Sequence, residues 1–130
     1  MTDVYRASCS CDALAVDFNQ PPKRISGCAC DACKRRTGSV LAVQCTFNRH
    51  SAQFYGSPIR YQRKAPSGSL VDFYFCGDCG ATVWYEHPGI DGVVVPIGVI
   101  SPAIQTPPSS IIFAERCPSW ISFDEDLLLD

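Results

Sequence analysis

Apolar and β-branched residues recur along the chain in short runs bounded by turn formers, a period that suits strands rather than amphipathic helices. The runs that predict strands are Tyr5–Ser8, Leu14–Phe18, Val40–Phe47, Ile59–Arg63, Leu70–Phe75, Thr82–Tyr85, Gly92–Val99, Ile111–Ala114 and Trp120–Phe123. Ten prolines and nine glycines punctuate the chain, at Pro21-Pro22, Ser57-Pro58, Pro66-Ser67-Gly68, Pro88-Gly89, Asp91-Gly92 and Pro107-Pro108 among others, so long helices have little room. The best helical stretch is a turn or two from Asp31 to Arg36, with Asp31 as N-cap. The pattern predicts a mainly β fold with few short helices, in one domain over residues 1–130. No internal repeat, linker or low-complexity segment breaks it. Near the end, Asp124-Glu125-Asp126 predicts a solvated turn before three leucines that pack back or fray.

Composition agrees with a packed domain: 46% of residues are hydrophobic and 18% charged, which argues against disorder. A net charge of −2 argues against a general polyanion binder, and no nucleic-acid partner is expected. The start has no apolar core of signal-peptide length, and the longest apolar run, Val93 to Ile100, is broken by Pro96 and Gly98. A cytoplasmic location without a membrane partner is therefore expected. Nine cysteines, an odd number without an export signal, then fit metal ligation better than a disulfide framework.

The cysteines fall into groups. Cys9-Ser10-Cys11 lies in strand-like sequence, where residues two apart face the same side. Cys76-Gly77-Asp78-Cys79-Gly80 is a stronger signal, because glycines inside and after the turn let the backbone curl until two thiolates reach one ion. Together these four make the most economical closed, structural zinc site. Cys28, Cys30 and Cys33 are left as three ligands without an obvious fourth, the pattern of a metal that keeps an exchangeable position. Cys45 and Cys117 read as buried small apolar residues, and His50 and His87 as solvated loop residues. Other readings stay open. Cys30 and Cys33 could pair with Cys76 and Cys79 as a zinc ribbon, or act as a redox pair. Cys45, Cys117 or a histidine could also close the three-thiol site.

Lys34, Arg35, Arg36, Thr37 and Gly38 follow the three thiols directly. A guanidinium clamps a carboxylate bidentately, while Thr37 and Gly38 offer a hydroxyl and a backbone N–H, so the run is a candidate substrate-binding segment. Its neighbours in sequence cannot all point into one pocket, and a solvated face is the alternative. Trp84, Tyr85 and Trp120 read as core residues rather than pocket lining.

The C-x-C near the start, the C-x-C-x-x-C-[KR]-[KR]-x-[ST]-G of residues 28–38 and the F-C-x-x-C-G of residues 75–80 resemble the glutathione-dependent formaldehyde-activating (GFA) family, to which centromere protein V belongs. Gly98-Val99-Ile100 and Arg116-Cys117-Pro118-Ser119-Trp120 are similar to its late strand and its P-W motif, here split by Ser119. The resemblance implies a β-tent fold of several small bent antiparallel sheets, stapled by a structural zinc on Cys9, Cys11, Cys76 and Cys79. It implies a second zinc on Cys28, Cys30 and Cys33, two per chain in all. The implied activity is that of a carbon–sulfur lyase, an S-hydroxymethylglutathione synthase that joins formaldehyde to the glutathione thiol, so a small thiol and an aldehyde are the expected partners. Two positions depart from the family's pattern: Ala29 and Ile111 stand where many members carry histidine. A non-catalytic, zinc-stapled binding module is the competing function.

Overall fold

The structure, a computed structural model, describes residues 4–124 and 127–129. The strands are β1 (Tyr5–Ser8), β2 (Ala15–Phe18), β3 (Arg24–Cys28), β4 (Ala42–Phe47), β5 (Ala52–Tyr55), β6 (Ile59–Lys64), β7 (Leu70–Phe75), β8 (Thr82–Glu86), β9 (Val93–Pro96), β10 (Ile100–Ser101), β11 (Ser110–Ile112) and β12 (Leu128–Leu129). One short helix, α1 (Asp31–Thr37), joins β3 to β4. Four strands form one sheet in the order β10-β1-β2-β5, and eight form the other in the order β12-β11-β3-β4-β9-β8-β7-β6. Pairing is antiparallel except where β11 lies parallel to β3 and β12 parallel to β11. The mainly β expectation with few helices holds. Among the described residues no helix is long and apolar enough to cross a membrane.

The larger sheet has two unlike faces because side chains alternate along each strand. One face packs on the small sheet around Val16, Phe18, Cys45, Phe47, Val83, Val93 and Val95, all fully buried. Phe18 of β2 and Phe47 of β4 stack across this layer with ring centroids 3.9 Å apart. Burying each such ring contributes about 1.5–3 kcal/mol. The opposite face follows from register: Ser26 pairs Gln44, Cys28 pairs Ala42, Thr46 pairs Val94, Val94 pairs Tyr85, and Tyr85 pairs Phe73. That second face carries the thiols of residues 28–33 and the helix that follows them.

Four strands, β3, β5, β10 and β12, were not legible as alternating runs. β3, Arg24-Ile-Ser-Gly-Cys, is poor in strand formers but lies between β4 and β11, whose ladders hold it. Gly27 is needed there, since a Cβ would sit 2.6 Å from Ile111 Cδ1. Gly27→Val is expected to cost about 1–3 kcal/mol by overpacking, read as a lower urea midpoint. An unchanged midpoint would show that β11 moves aside freely. β5 and β10 are short and lean on their neighbours β2 and β1.

The reverse errors have local causes. Trp120–Phe123 forms no strand, and Trp120 is 75% exposed rather than in the core. Ile97–Val99 is a single 3-10 turn after Pro96, and β11 stops at Ile112 because Phe113 adopts a left-handed φ of 58°. Of the acidic turn, Glu125 and Asp126 lie outside the described residues; the leucine strand that follows does pack back, on β11.

Candidate metal centre

Cys9 ends the exit from β1 and Cys11 follows in a tight turn, where Asp12 takes φ 62° and its N–H donates to the Cys9 carbonyl. Cys76 and Cys79 sit in the β7–β8 turn, closed by the Gly80 N–H donating to the Cys76 carbonyl at 2.8 Å, with Gly80 at φ 81°. The four sulfurs lie within 4.8 Å of one another. Cys9 Sγ is 3.7 Å from Cys11 Sγ, and Cys11 Sγ is 3.6 Å from Cys76 Sγ. A tetrahedron with Zn–S bonds of about 2.3 Å has edges of about 3.8 Å, so this donor set fits zinc. Backbone N–H groups of Leu14 and Asp78 point at the Cys9 and Cys76 sulfurs, as suits thiolates. The Ala81 N–H, ahead of a smaller contribution from the Cys11 N–H, pulls the Cys79 thiol down to about 6. The zinc-ribbon pairing of Cys30 and Cys33 with this turn is not what forms; Cys9 and Cys11 complete it instead.

The second cluster is built where β3 runs into α1. Cys28, Cys30 and Cys33 bring their sulfurs within 4.8 Å of one another. Cys30, not Asp31, is the helix N-cap, accepting the Cys33 N–H on its sulfur at 3.3 Å. A thiol thus replaces the carboxylate cap that composition suggests, and Asp31 becomes the first helical residue. A hydrogen bond from the Cys33 thiol, helped by the Cys30 N–H and the Arg116 charge, pulls Cys28 down to about 6 against the effect of burial. Cys33, giving that bond and partly buried, is pushed far up. Among the described residues no fourth His, Cys, Asp or Glu joins this group. Cys45 is buried in the core between the sheets, and Cys117 is half-buried with its thiol 3.9 Å from the Val40 carbonyl. His50 is exposed, while His87 is half-buried and accepts the Gly89 N–H on Nδ1 at 2.8 Å, which makes it a turn residue. All nine cysteines are free thiols.

The basic run lies along α1 and divides by helical geometry. Lys34 Nζ donates to the Arg116 carbonyl at 3.1 Å and stands 3.9 Å from Asp31. Thr37 Oγ1 donates to the Cys33 carbonyl and accepts the Ser39 N–H, while Gly38, at φ 71°, gives its N–H to the Lys34 carbonyl. Those two residues therefore terminate the helix. Asp31, Ala32, Arg35 and Arg36 line a cleft of about 690 Å³ whose other walls come from β6, β7 and the Gly80–Thr82 segment. The Arg36 guanidinium stands 5.2 Å from the Phe73 and Tyr85 ring centres. Trp84 and Tyr85 are buried as expected, and burial raises the Tyr85 phenol well above its ordinary range, with Arg36 opposing.

Two neighbours escaped sequence reasoning. Gln44 is 8% exposed on the face that carries Cys28, with no donor to its Oε1. Arg63 reaches the cleft from β6, its guanidinium 4.8 Å from the Phe73 ring. Alternation along β4 could have placed Gln44, but only the β6–β7 pairing brings Arg63 to the helix.

No curated protein sequence matches the chain. A crystal structure of a Rhodobacter sphaeroides protein is similar in fold, with a TM-score of 0.53 at 16% identity over 77% of this chain and 91% of that one. The spacing of both thiol groups lies inside a stretch, residues 4–116, that matches the family described as glutathione-dependent formaldehyde-activating enzyme, and the chain belongs to that family.

Proposed function

We propose that the chain is a zinc-dependent carbon–sulfur lyase of the GFA type, joining glutathione or another small thiol to formaldehyde or a related aldehyde. The observation that carries this reading is the group of three thiols, Cys28, Cys30 and Cys33, with no fourth side-chain ligand among the described residues, at the start of the helix whose Asp31, Ala32, Arg35 and Arg36 line an open cleft. Cys9, Cys11, Cys76 and Cys79 would hold a structural zinc, and the three thiols a second one. A zinc in the second site would supply an exchangeable position that favours the thiolate form of a substrate thiol at neutral pH.

The reaction is an addition. The sulfur lone pair forms the S–C bond, the carbonyl π pair moves to oxygen, and the thiol proton ends on that oxygen. The chain's own residues bind and orient. Arg35 and Arg36 face the cleft and are the groups that would take a substrate carboxylate, while Lys34, Thr37 and Gly38 hold α1 and with it Cys33 in place.

A non-catalytic binding module is the second reading, and one observation favours it. Ala29 and Ile111 are fully buried apolar residues, so neither position offers an imidazole for proton transfer. NMR exchange between glutathione and its formaldehyde adduct separates the two readings. Zinc-loaded protein is expected to accelerate the exchange over buffer; no acceleration with both sites filled would rule out this substrate pair.

A further inference from the structure

We propose that the cleft between α1 and the β6–β7 hairpin is a binding site for an organic acid with an apolar or aromatic body, with Arg63 and Arg36 clamping its carboxylate. Two guanidiniums converge on one ring: Arg63 stands 4.8 Å and Arg36 5.2 Å from the Phe73 centre. They arrive from different elements, Arg36 from the helix and Arg63 from an edge strand, so their approach is set by the fold. Stacking on an aromatic face orients a guanidinium while leaving its in-plane N–H groups free.

Among the described residues no carboxylate forms an ion pair with either head. Among the described residues the ion pairs use Arg6, Lys23, Lys34, Arg49 and Arg60, and none uses Arg35, Arg36 or Arg63. Asp31, the acid on the cleft wall, leans toward Lys34. The Nε atoms of both Arg36 and Arg63 are buried without an acceptor. Two like charges held on one ring repel, and a carboxylate taken up by the terminal N–H groups of the two heads relieves that repulsion. Phe73 and Phe75 form an apolar floor, Tyr61, 60% exposed, one rim, and Gly80 and Thr82 complete the wall. A volume of about 690 Å³ falls in the range of small-molecule sites. An apolar body on the floor with its acid at the arginines satisfies the whole surface; a bare phosphate would leave the aromatics wet.

Acid binding here does not depend on the thiol chemistry. Only the further step, that the bound acid is the thiol substrate itself, rests on the proposed function. The test is calorimetric titration of the zinc-loaded chain with 3-phenylpropanoate, using the neutral 3-phenylpropanamide as its isostere. The acid is expected to bind at least about tenfold more tightly than the amide, the range for losing a charged hydrogen bond. Arg63→Met should weaken the acid about tenfold and leave the amide unchanged; Arg63→Lys, which keeps charge and stem, should fall between. Equal affinity for acid and amide, or no effect of either Arg63 variant, overturns the proposal. Cys28→Ser should bind the acid as wild type does, so loss of thiol exchange alone leaves this site standing, and loss of acid binding alone leaves the lyase reading standing.

Discussion

Cys76→Ser is expected to abolish the cooperative fold. Cys76 is 3% exposed and its sulfur is 3.6 Å from that of Cys11, a residue 65 positions away in sequence. A metal on the four thiols would tie the end of β1, in the small sheet, to the β7–β8 turn of the large one. Cross-linking so long a loop removes much of the unfolded chain's freedom. A structural zinc of this kind contributes on the order of 10 kcal/mol, which is comparable to the whole stability of a typical domain at about 5–15 kcal/mol. A serine hydroxyl stays protonated at neutral pH and is too hard a donor to replace the thiolate. Far-UV circular dichroism with urea, alongside metal content, is the measurement. A sharp transition near the wild-type midpoint would show that the two sheets hold without the staple.

How much of this was readable beforehand depends on how local the cause is. Cys28, Cys30 and Cys33 could be grouped from spacing because six residues cannot spread far, and Cys76 with Cys79 because the glycines announce a tight turn. Joining Cys9 and Cys11 to that turn came from counting ligands, and the packing of the small sheet on the large one brings the four sulfurs together. β3 escaped because its strand character comes from its neighbours rather than from Arg24-Ile-Ser-Gly-Cys itself. Trp120 misled for the opposite reason: an aromatic residue after Pro118 looks like core, yet it sits in a turn rather than a strand and is 75% exposed. Arg63 was invisible as a site residue. Its run, Ile59–Arg63, reads as a strand and becomes β6 at the sheet's edge; only tertiary pairing sets one of its charges over Phe73.

Cys28→Ser, by contrast, is expected to keep the fold and lose the chemistry. The loop it helps close runs only from residue 28 to 33, so a metal held there would constrain the unfolded chain little. Its backbone is held independently, by the pairing of Cys28 with Ala42 and Ile112 and by the Cys30 cap and Gly38 stop on α1. The thermal midpoint should therefore move by only a few degrees, the shift of about 1 kcal/mol in a chain of this size. Metal content should fall from about two per chain to about one, following the two thiol groups. Acceleration of thiol–formaldehyde exchange should drop about a hundredfold or more, since the site's charge stabilisation is worth several kcal/mol. The pair of variants decides between assignments better than either alone. If Cys28→Ser unfolds the chain as Cys76→Ser does, the three-thiol group is a second staple and the open ligand position has no catalytic meaning. If it loses one metal while folding and exchange both persist, the chemistry lies elsewhere in the molecule. Only loss of one metal and of exchange, with the fold intact, assigns the reaction to the turn between β3 and α1.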